Sequence, residues 1–539
     1  MNLIHFSAPD NALAQPFNDL DMLRILILAR PQLTESELSD WTLHAFENDP
    51  DELSARYKLF QDLKDKDLAE EAYHKLRSFI DEQEKASRTA DDLHDVLYSY
   101  RVLNAFLALI EALENLCASG EGHSPRLGQL KDLVAEIRKD PAFPTIESVV
   151  REVPTVLPFP SHIYVGLNAR ETGDATDIGI IKDDTSETSI QALLDVSAPT
   201  ASSESLFPEM PYTRAQYGTH FEEYLLQHYS KHYHSEIAKA HKLLQGVAPL
   251  RSPELIELAD SLEYLVIGLS LCDLFQKAGY GLTIPDPNGE ELTAEGLQYP
   301  DLALHMNDLE GKQVTLSGGS STLITGANHS GKTSYLKTIG QSLVLAQFGF
   351  PVPAVSFRFR PFKKFYTLFS TGEDSSMSVS RMGVEIQRLS QIMQSATEQD
   401  LVLINEPMTS TNPIEAVSIC SDLMQRFLNK HITHLVVTHL YDIYYLLKTR
   451  LSADQEERFT SLITLSEFSE EKGMVHSYRL MESQPLGNSY AMETAKSFQI
   501  TLEDLLEDPA LRAEASSYCR RTRMENIYES ANAQSGKEA

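Results

Sequence analysis

The first part of the chain has the hydrophobic spacing of amphipathic helices. From residue 19 to about residue 118, apolar residues recur at intervals of three and four between acidic and basic residues. One example of this spacing is Leu103, Phe106, Leu107, Ile110 and Leu113. A stripe with this period covers one face of an α-helix. The pattern therefore predicts an α-helical N-terminal region over residues 1–150.

The pattern changes after this region. Two short apolar runs, at residues 162–167 and 178–181, are separated by glycine, aspartate and threonine, and a small polar run follows at residues 197–205. Apolar runs of this length between turn-forming residues are typical of short strands. Residues 151–211 are therefore predicted to form a small strand-bearing connector.

Three further segments follow the connector. Helical spacing returns over residues 212–282 and stops where glycine and proline become frequent. Residues 283–519 contain apolar strands followed by helical patterns, and residues 520–539 are a polar tail that we expect to be disordered. The predicted fold class is multidomain, with an α-helical N-terminal half, the small connector and a C-terminal α/β domain.

A glycine-rich loop joins a strand to a helix in the α/β domain. The pattern predicts a strand over residues 321–325 and a helix after residue 333. The loop consists of Gly326, Ala327, Asn328, His329, Ser330, Gly331, Lys332 and Thr333. Its glycines let backbone N–H groups point at a phosphate, Lys332 can reach the β- and γ-phosphates, and Thr333 can ligate Mg²⁺. A glycine turn that binds nothing is the alternative, and the strand–loop–helix context favours ATP binding.

A second buried strand ends in candidate catalytic residues. Residues 401–404 are a continuous apolar run, as in central parallel strands, and Asn405 and Glu406 follow. Glu406 is the candidate general base for an attacking water, unless it is only a polar strand end. Asn405 occupies the position where nucleotide hydrolases usually carry a magnesium-binding aspartate. Because its amide lacks the charge, we expect slow hydrolysis.

A third predicted strand ends in a histidine, which is a further candidate site residue. The apolar run at residues 435–437 is followed by Thr438 and His439. If this strand is a neighbour of the strand that ends at Asn405, His439 lies beside the γ-phosphate and is a second catalytic candidate. A purely structural histidine at a strand end is the alternative.

Taken in order, these motifs resemble the ATPase domain of the MutS family of DNA mismatch-repair proteins, a branch of the ABC-type P-loop ATPases. The resemblance extends from about residue 296 to residue 501 and includes the segments at residues 300–304, 351–354 and 487–491. Asn405 and Glu406 followed by a Thr-Ser-Thr loop look like a short bacterial branch of this family that lacks the mismatch-recognition domain.

The resemblance implies a cofactor, a partner and an assembly. ATP and Mg²⁺ would bind at the loop, the partner would be double-stranded or branched DNA, and the protein would be a homodimer. Residues 376–383 correspond to the signature segment that reaches the nucleotide of the other subunit, with Ser380 as its serine. Residues 212–278 would be the core and lever helices. Within residues 1–150, the string nearest to the mismatch-reading Phe-x-Glu motif is Phe46-Glu47-Asn48, which does not match it.

The charge of the chain bears on the DNA prediction. Lysine and arginine total 46 and aspartate and glutamate total 78, which gives a net charge of −32. This balance opposes non-specific attraction to nucleic acid, so any DNA contact needs a local basic patch. The alternative function is therefore a nucleotide-dependent protein-interaction scaffold with weak or no hydrolysis.

Cysteine, histidine and hydropathy patterns favour a cytoplasmic protein. The four cysteines lie far apart, which predicts neither a disulfide framework nor a zinc site of usual spacing. His228, His232 and Glu236 could share a metal ion, but an exposed helix face explains their spacing as well. The first residues lack a targeting pattern, and no stretch approaches the roughly 18 uncharged apolar residues of a membrane span. We therefore expect no membrane partner, and membrane transport is disfavoured.

Overall fold

The computed structural model divides the chain into two compact units. The first comprises Met1–His5 and Lys58–Leu269, and the second comprises Phe6–Tyr57 and Ser270–Ala539. The structure describes residues 3–6, 8–86, 92–157, 163–169, 175–183, 233–307, 309–369, 381–469 and 473–485. Predictions that lie outside the described residues concern Ser380, most of the connector, residues 212–232, residues 487–491 and the tail.

The N-terminal half is helical, as its hydrophobic period predicted. In chain order the helices of the described residues are α1 (Ala14–Asp19), α2 (Met22–Ala29), α3 (Glu35–Ala45), α4 (Pro50–Asp62), α5 (Lys66–Ala86), α6 (Asp92–Ala118), α7 (Pro125–Lys139), α8 (Phe143–Val156), α9 (His234–Leu244), α10 (Ser252–Ile256), α11 (Ala259–Lys277), α12 (Pro300–Ala303), α13 (Lys332–Gln347), α14 (Arg381–Ser395), α15 (Pro413–Asn429), α16 (Asp442–Lys448) and α17 (Ala453–Glu457), and a 3-10 turn covers Asn11–Leu13.

The first unit consists of helices α5 to α10, most of α11 and one pair of strands. Strand β1 (Ile163–Ala169) pairs antiparallel with β2 (Ala175–Asp183), within the segment predicted to contain strands. The centroid of the Phe106 ring lies 6.0 Å from that of Phe79 and 6.2 Å from that of Phe143. These aromatic contacts join α5, α6 and α8 in one core.

Helix α6 combines length with a high content of apolar residues. Its segment Asp95–Ala118 is long and apolar enough to cross a membrane on length and composition alone. Phe106, Ile110 and Leu113 of this segment are fully buried inside the unit. A buried core helix passes the same compositional test, so the segment is only weak evidence for a membrane span.

The C-terminal half contains a mixed six-stranded sheet with the order β11-β10-β5-β9-β8-β7. The five strands from β10 to β7 are parallel, and β11 pairs antiparallel with β10. The strands are β5 (Ser321–Thr325), β7 (Phe365–Phe369), β8 (Leu401–Asn405), β9 (Thr433–Val437), β10 (Phe459–Ser469) and β11 (Gly473–Glu482). Strands β5 and β9 are buried along their whole length, including the polar residues at their ends.

A second, antiparallel sheet has the order β4-β3-β6. Its strands are β3 (Leu292–Leu297), β4 (Lys312–Leu316) and β6 (Ser356–Arg358). In β6 the buried Phe357 lies between exposed neighbours, as expected of a strand with one solvated face.

Residues 6–57 belong to the second unit, although they lie in sequence between the two segments of the first unit. The ring of Phe17 lies 5.7 Å from that of Phe348, and the ring of Phe46 lies 5.6 Å from that of Phe365. Gln347, the last residue of α13, donates from its side chain to the carbonyl of Glu47 at 2.9 Å. The first helices of the chain thus help to form the core around helix α13 and strand β7.

Candidate functional site

The glycine-rich loop curls between β5 and the start of α13. Gly326 has φ +147° and Gly331, the N-cap of α13, has φ +91°, a region that L-residues rarely adopt. A Cβ atom at residue 326 would lie 1.9 Å from the hydroxyl of Thr464, so only glycine fits there. The loop leads directly into the N-terminus of helix α13, which has sixteen residues. The first backbone N–H groups of this helix have no partner within the helix and can bind an anion.

Lys332 places a cation inside this loop. Its side chain is 5% exposed, and Nζ donates to the carbonyls of Gly326 at 3.0 Å and Ala327 at 2.8 Å. Burial lowers the pKa of Lys332, and the carboxylate of Glu406, 3.9 Å away, opposes this effect. The hydroxyl of Ser330 also donates to the carbonyl of Ala327, at 2.6 Å. The loop is thus folded around the lysine side chain.

Thr333 and Asn405 bring two oxygen atoms together at the end of β8. The hydroxyl of Thr333 donates to Oδ1 of Asn405 at 2.8 Å. Hydroxyl and amide oxygens are ligands that a hard cation such as Mg²⁺ accepts, so this pair has suitable chemistry for that ion. Within the described residues no group of three or more His, Cys, Asp or Glu side chains could hold a metal ion.

Glu406 and His439 form a second pair beside the first. Strands β8 and β9 are neighbours, with Asn405 opposite Val437, and this adjacency is what the histidine prediction required. Oε2 of Glu406 accepts from the backbone N–H of His439 at 3.2 Å and lies 2.8 Å from its Nδ1. The hydrogen bond to Glu406 raises the pKa of His439, against the opposing effects of burial and of Lys332.

The structure brings most of the predicted site residues together. Lys332, Thr333, Asn405, Glu406 and His439 are connected through the contacts described above. Asn328 and His329 are exposed at the tip of the loop. Ser380 lies outside the described residues, so its predicted role stays a prediction.

Thr464 is a site residue that the sequence did not indicate. Its hydroxyl lies 2.5 Å from that of Ser330, which makes it a support of the loop. Strand β10 pairs with β5 so that Ile463 is opposite Thr325, and the next residue, Thr464, therefore reaches the loop. This register depends on a strand far away in sequence, and no local motif marks it.

Comparisons with known proteins find similarity to the MutS family. Residues 322–507 match the family model described as MutS domain V. The chain is 26% identical over 241 residues to "Endonuclease MutS2" of Gemmatimonas aurantiaca, which covers 43% of this chain and 28% of that protein. It is 25% identical over 252 residues to "DNA mismatch repair protein MutS" of Thermosipho melanesiensis, which covers 43% and 30%. It is 33% identical over 126 residues to human "MutS protein homolog 4", which covers 23% and 14%.

These similarities concern one part of each protein. The chain spans less than a third of the length of these three curated relatives. The segment that matches the family model contains Lys332, Thr333, Asn405, Glu406 and His439. The comparisons therefore support a relationship to the MutS family through the domain that carries the candidate site.

Proposed function

We propose that the protein is a MutS-related, ABC-type P-loop ATPase that binds ATP and Mg²⁺ and couples its nucleotide state to the binding of DNA. The main support is the convergence of three strand ends on one point. The loop after β5 supplies Lys332, the end of β8 supplies Glu406, and the end of β9 supplies His439, within the contacts of 2.8 to 3.9 Å described above. This arrangement joins a phosphate site to an acid–base pair.

Each residue has a role that its chemistry supports. The N–H groups of residues 326–333 and the ammonium of Lys332 bind the phosphates of ATP. Thr333 and Asn405 hold Mg²⁺, which would neutralise phosphate charge when bound. Glu406 accepts a proton from the attacking water, and His439 orients the Glu406 carboxylate through their hydrogen bond.

The proposed hydrolysis is slow. Asn405 offers a neutral oxygen where a carboxylate would attract the divalent ion. At about 5 Å and an effective dielectric near 20, the missing charge is worth several kcal/mol of interaction by order of magnitude. ATP binding still has Lys332 and the loop N–H groups, so binding is less affected than turnover.

The site is proposed to act in a homodimer. The resemblance to the signature segment around Ser380 implies that each subunit completes the nucleotide site of the other, where the developing γ-phosphate charge needs further donors. ATP should then tighten self-association. Sedimentation with and without ATP tests this, and a strictly monomeric protein at saturating ATP and micromolar concentration contradicts it.

DNA is the proposed macromolecular partner, and the cytoplasm the proposed location. With a net charge of −32 and no Phe-x-Glu motif in residues 1–150, binding should depend on DNA shape and nucleotide state rather than on mispairing. Titrations with matched, mismatched and four-way-junction DNA, each with ADP and with a non-hydrolysable ATP analogue, test this. A stable protein complex without any DNA binding would favour the alternative, a nucleotide-dependent scaffold.

The deciding experiment measures ATP binding by calorimetry in the presence of Mg²⁺. Lys332→Ala should abolish binding, whereas Lys363→Ala, a change of an exposed lysine elsewhere in this unit, should leave it unchanged. Glu406→Gln should bind ATP like the wild type and lose the remaining hydrolysis. Unchanged affinity in Lys332→Ala would rule out this loop as the ATP site, and wild-type turnover in Glu406→Gln would place the general base elsewhere.

A further inference from the structure

Helix α14 contacts the loop that carries Glu406. The side chain of Glu385, near the start of this helix, is half-buried. Its Oε1 accepts a hydrogen bond from the backbone N–H of Met408 at 2.5 Å. Met408 is only two residues beyond Glu406. The carboxylate of Glu385 therefore holds the backbone segment that carries Glu406.

The loop from Glu406 to Met408 has an unusual backbone that needs such support. Glu406 has φ +51° and Met408 has φ +58°, so two non-glycine residues lie in the left-handed region. L-residues adopt this conformation rarely and keep it where the surroundings hold them in place. At one end, the N–H of Glu406 donates to the carbonyl of Val437 at 2.8 Å. At the other end, the contact with Glu385 holds Met408, whose side chain is 1% exposed in the core.

The helix that presents Glu385 is itself fixed by a charged contact. Arg388, one turn further along α14, lies 2.6 Å from Oδ2 of Asp19. The same carboxylate oxygen accepts from the hydroxyl of Thr367 on β7, also at 2.6 Å. Glu385 therefore projects from a helix whose position is determined by polar contacts on a neighbouring turn.

We propose that Glu385 is a positioning residue for the ATPase reaction, because it holds the Met408 amide and thereby aims the carboxylate of Glu406. This inference rests on the proposed function. The carboxylate must keep its 2.8 Å contact with His439 while it faces an attacking water, and small displacements of a catalytic group are costly in rate. A residue that acts through the backbone of the base affects turnover and leaves the phosphate contacts of the glycine-rich loop intact.

Two substitutions at residue 385 separate this role from a charge effect. Glu385→Gln keeps an acceptor oxygen at nearly the same place, so kcat should stay within about threefold of the wild type. Glu385→Ala removes the acceptor, and kcat should fall roughly 10- to 100-fold while the KM for ATP changes less than about threefold. Gln387→Ala, at an exposed position two residues along the same helix, is the matched control and should behave like the wild type.

Hydrogen–deuterium exchange of the Met408 amide gives a readout that does not depend on hydrolysis. Exchange should be faster in Glu385→Ala and close to wild-type in Glu385→Gln. The proposal is overturned if Glu385→Ala keeps the wild-type exchange rate and kcat, or if Glu385→Gln is as impaired as Glu385→Ala. A failure of the proposed function itself looks different, because the wild type and Lys332→Ala would then show the same ATP affinity.

Discussion

The hydroxyl of Thr333 donates to the side-chain oxygen of Asn405 at 2.8 Å, across 72 residues of sequence. Thr333 lies in the first turn of helix α13, and Asn405 ends the strand that leads to Glu406. Their contact places the candidate magnesium ligands beside the candidate general base. It also makes residue 405 a position where a change of one side-chain atom should alter metal-dependent chemistry.

Asn405→Asp should strengthen magnesium binding and accelerate ATP hydrolysis. The substitution adds a carboxylate next to the Thr333 hydroxyl, where it attracts a divalent ion and stabilises the charge-rich transition state. We expect the half-saturating Mg²⁺ concentration to fall and kcat to rise about tenfold. Steady-state hydrolysis over a Mg²⁺ titration measures both quantities.

The control for this prediction is Asn412→Asp. Asn412 is an exposed N-cap of α15 whose side chain accepts from the N–H of Ile414, and aspartate caps helices equally well. This control adds the same charge to the same unit and should change neither quantity. If both variants respond alike, the effect is one of net charge, and Asn405 is not a metal ligand.

Glu406→Gln should lower the pKa of His439. The hydrogen bond to the Glu406 carboxylate is the main cause that raises this pKa above its ordinary value of 6.5, and burial and Lys332 act in the opposite direction. Because the folded-state pKa is raised, the stabilisation from this pair is present below 6.5 and is lost as the pH rises through the folded-state value. An NMR titration of the imidazole resonance, assigned with His439→Gln, measures the shift. An unchanged pKa would contradict the pairing.

His434 should make the fold sensitive to acid. Burial in β9 lowers its pKa to about 4, and Nε2 has no hydrogen-bond partner among the described residues. The unfolded chain therefore binds more protons between about pH 6.5 and pH 4, so stability is lost as the pH falls through this range. Relative to His434→Leu, the wild type should lose roughly 2 to 3 kcal/mol between about pH 7 and pH 4.5.

Chemical denaturation at a series of pH values measures this difference. His431→Asn is the control, because His431 is exposed in the preceding turn with φ +55°, a conformation that asparagine tolerates. It should keep the wild-type pH dependence. Parallel curves for the wild type and His434→Leu would show that the buried histidine does not contribute.

Local motifs were sufficient to predict much of the site. The apolar run before Asn405 became strand β8, and the apolar run at residues 435–437 became part of strand β9. Strand β9 begins at Thr433, two residues before the apolar run that predicted it, because Thr433 and His434 are also buried. Signals of this kind lie within a few residues of the feature that they describe.

Contacts between distant segments could not be predicted in this way. The aromatic contacts of Phe17 and Phe46 with Phe348 and Phe365 place the start of the chain in the core of the second unit. An amphipathic helix shows that one face is buried, but its sequence does not show which surface covers that face. The same limit applies to Glu385, since nothing near it in sequence indicates a contact with the amide of Met408.

The contact between Asp19 and Arg388 should be a major stabilising link between the first helices and the rest of this unit. The Asp19 side chain is 6% exposed, and its carboxylate accepts from Arg388, Thr367 and Gln15. Asp19→Ala leaves the guanidinium of Arg388 without this partner in a partly buried place. We expect a loss of roughly 2 to 4 kcal/mol in the free energy of unfolding.

A double-mutant cycle with Arg388→Met separates the pair from its surroundings. Arg388→Met keeps much of the apolar stem, so the double variant should be more stable than the sum of the single changes implies, with a coupling of about 1 to 3 kcal/mol. The exposed pair Lys64 and Glu121 serves as the comparison, and solvent should reduce its coupling well below that of the buried pair. Strictly additive losses at Asp19 and Arg388 would mean that each residue acts through other contacts, and that this ion pair does not hold the first helices in place.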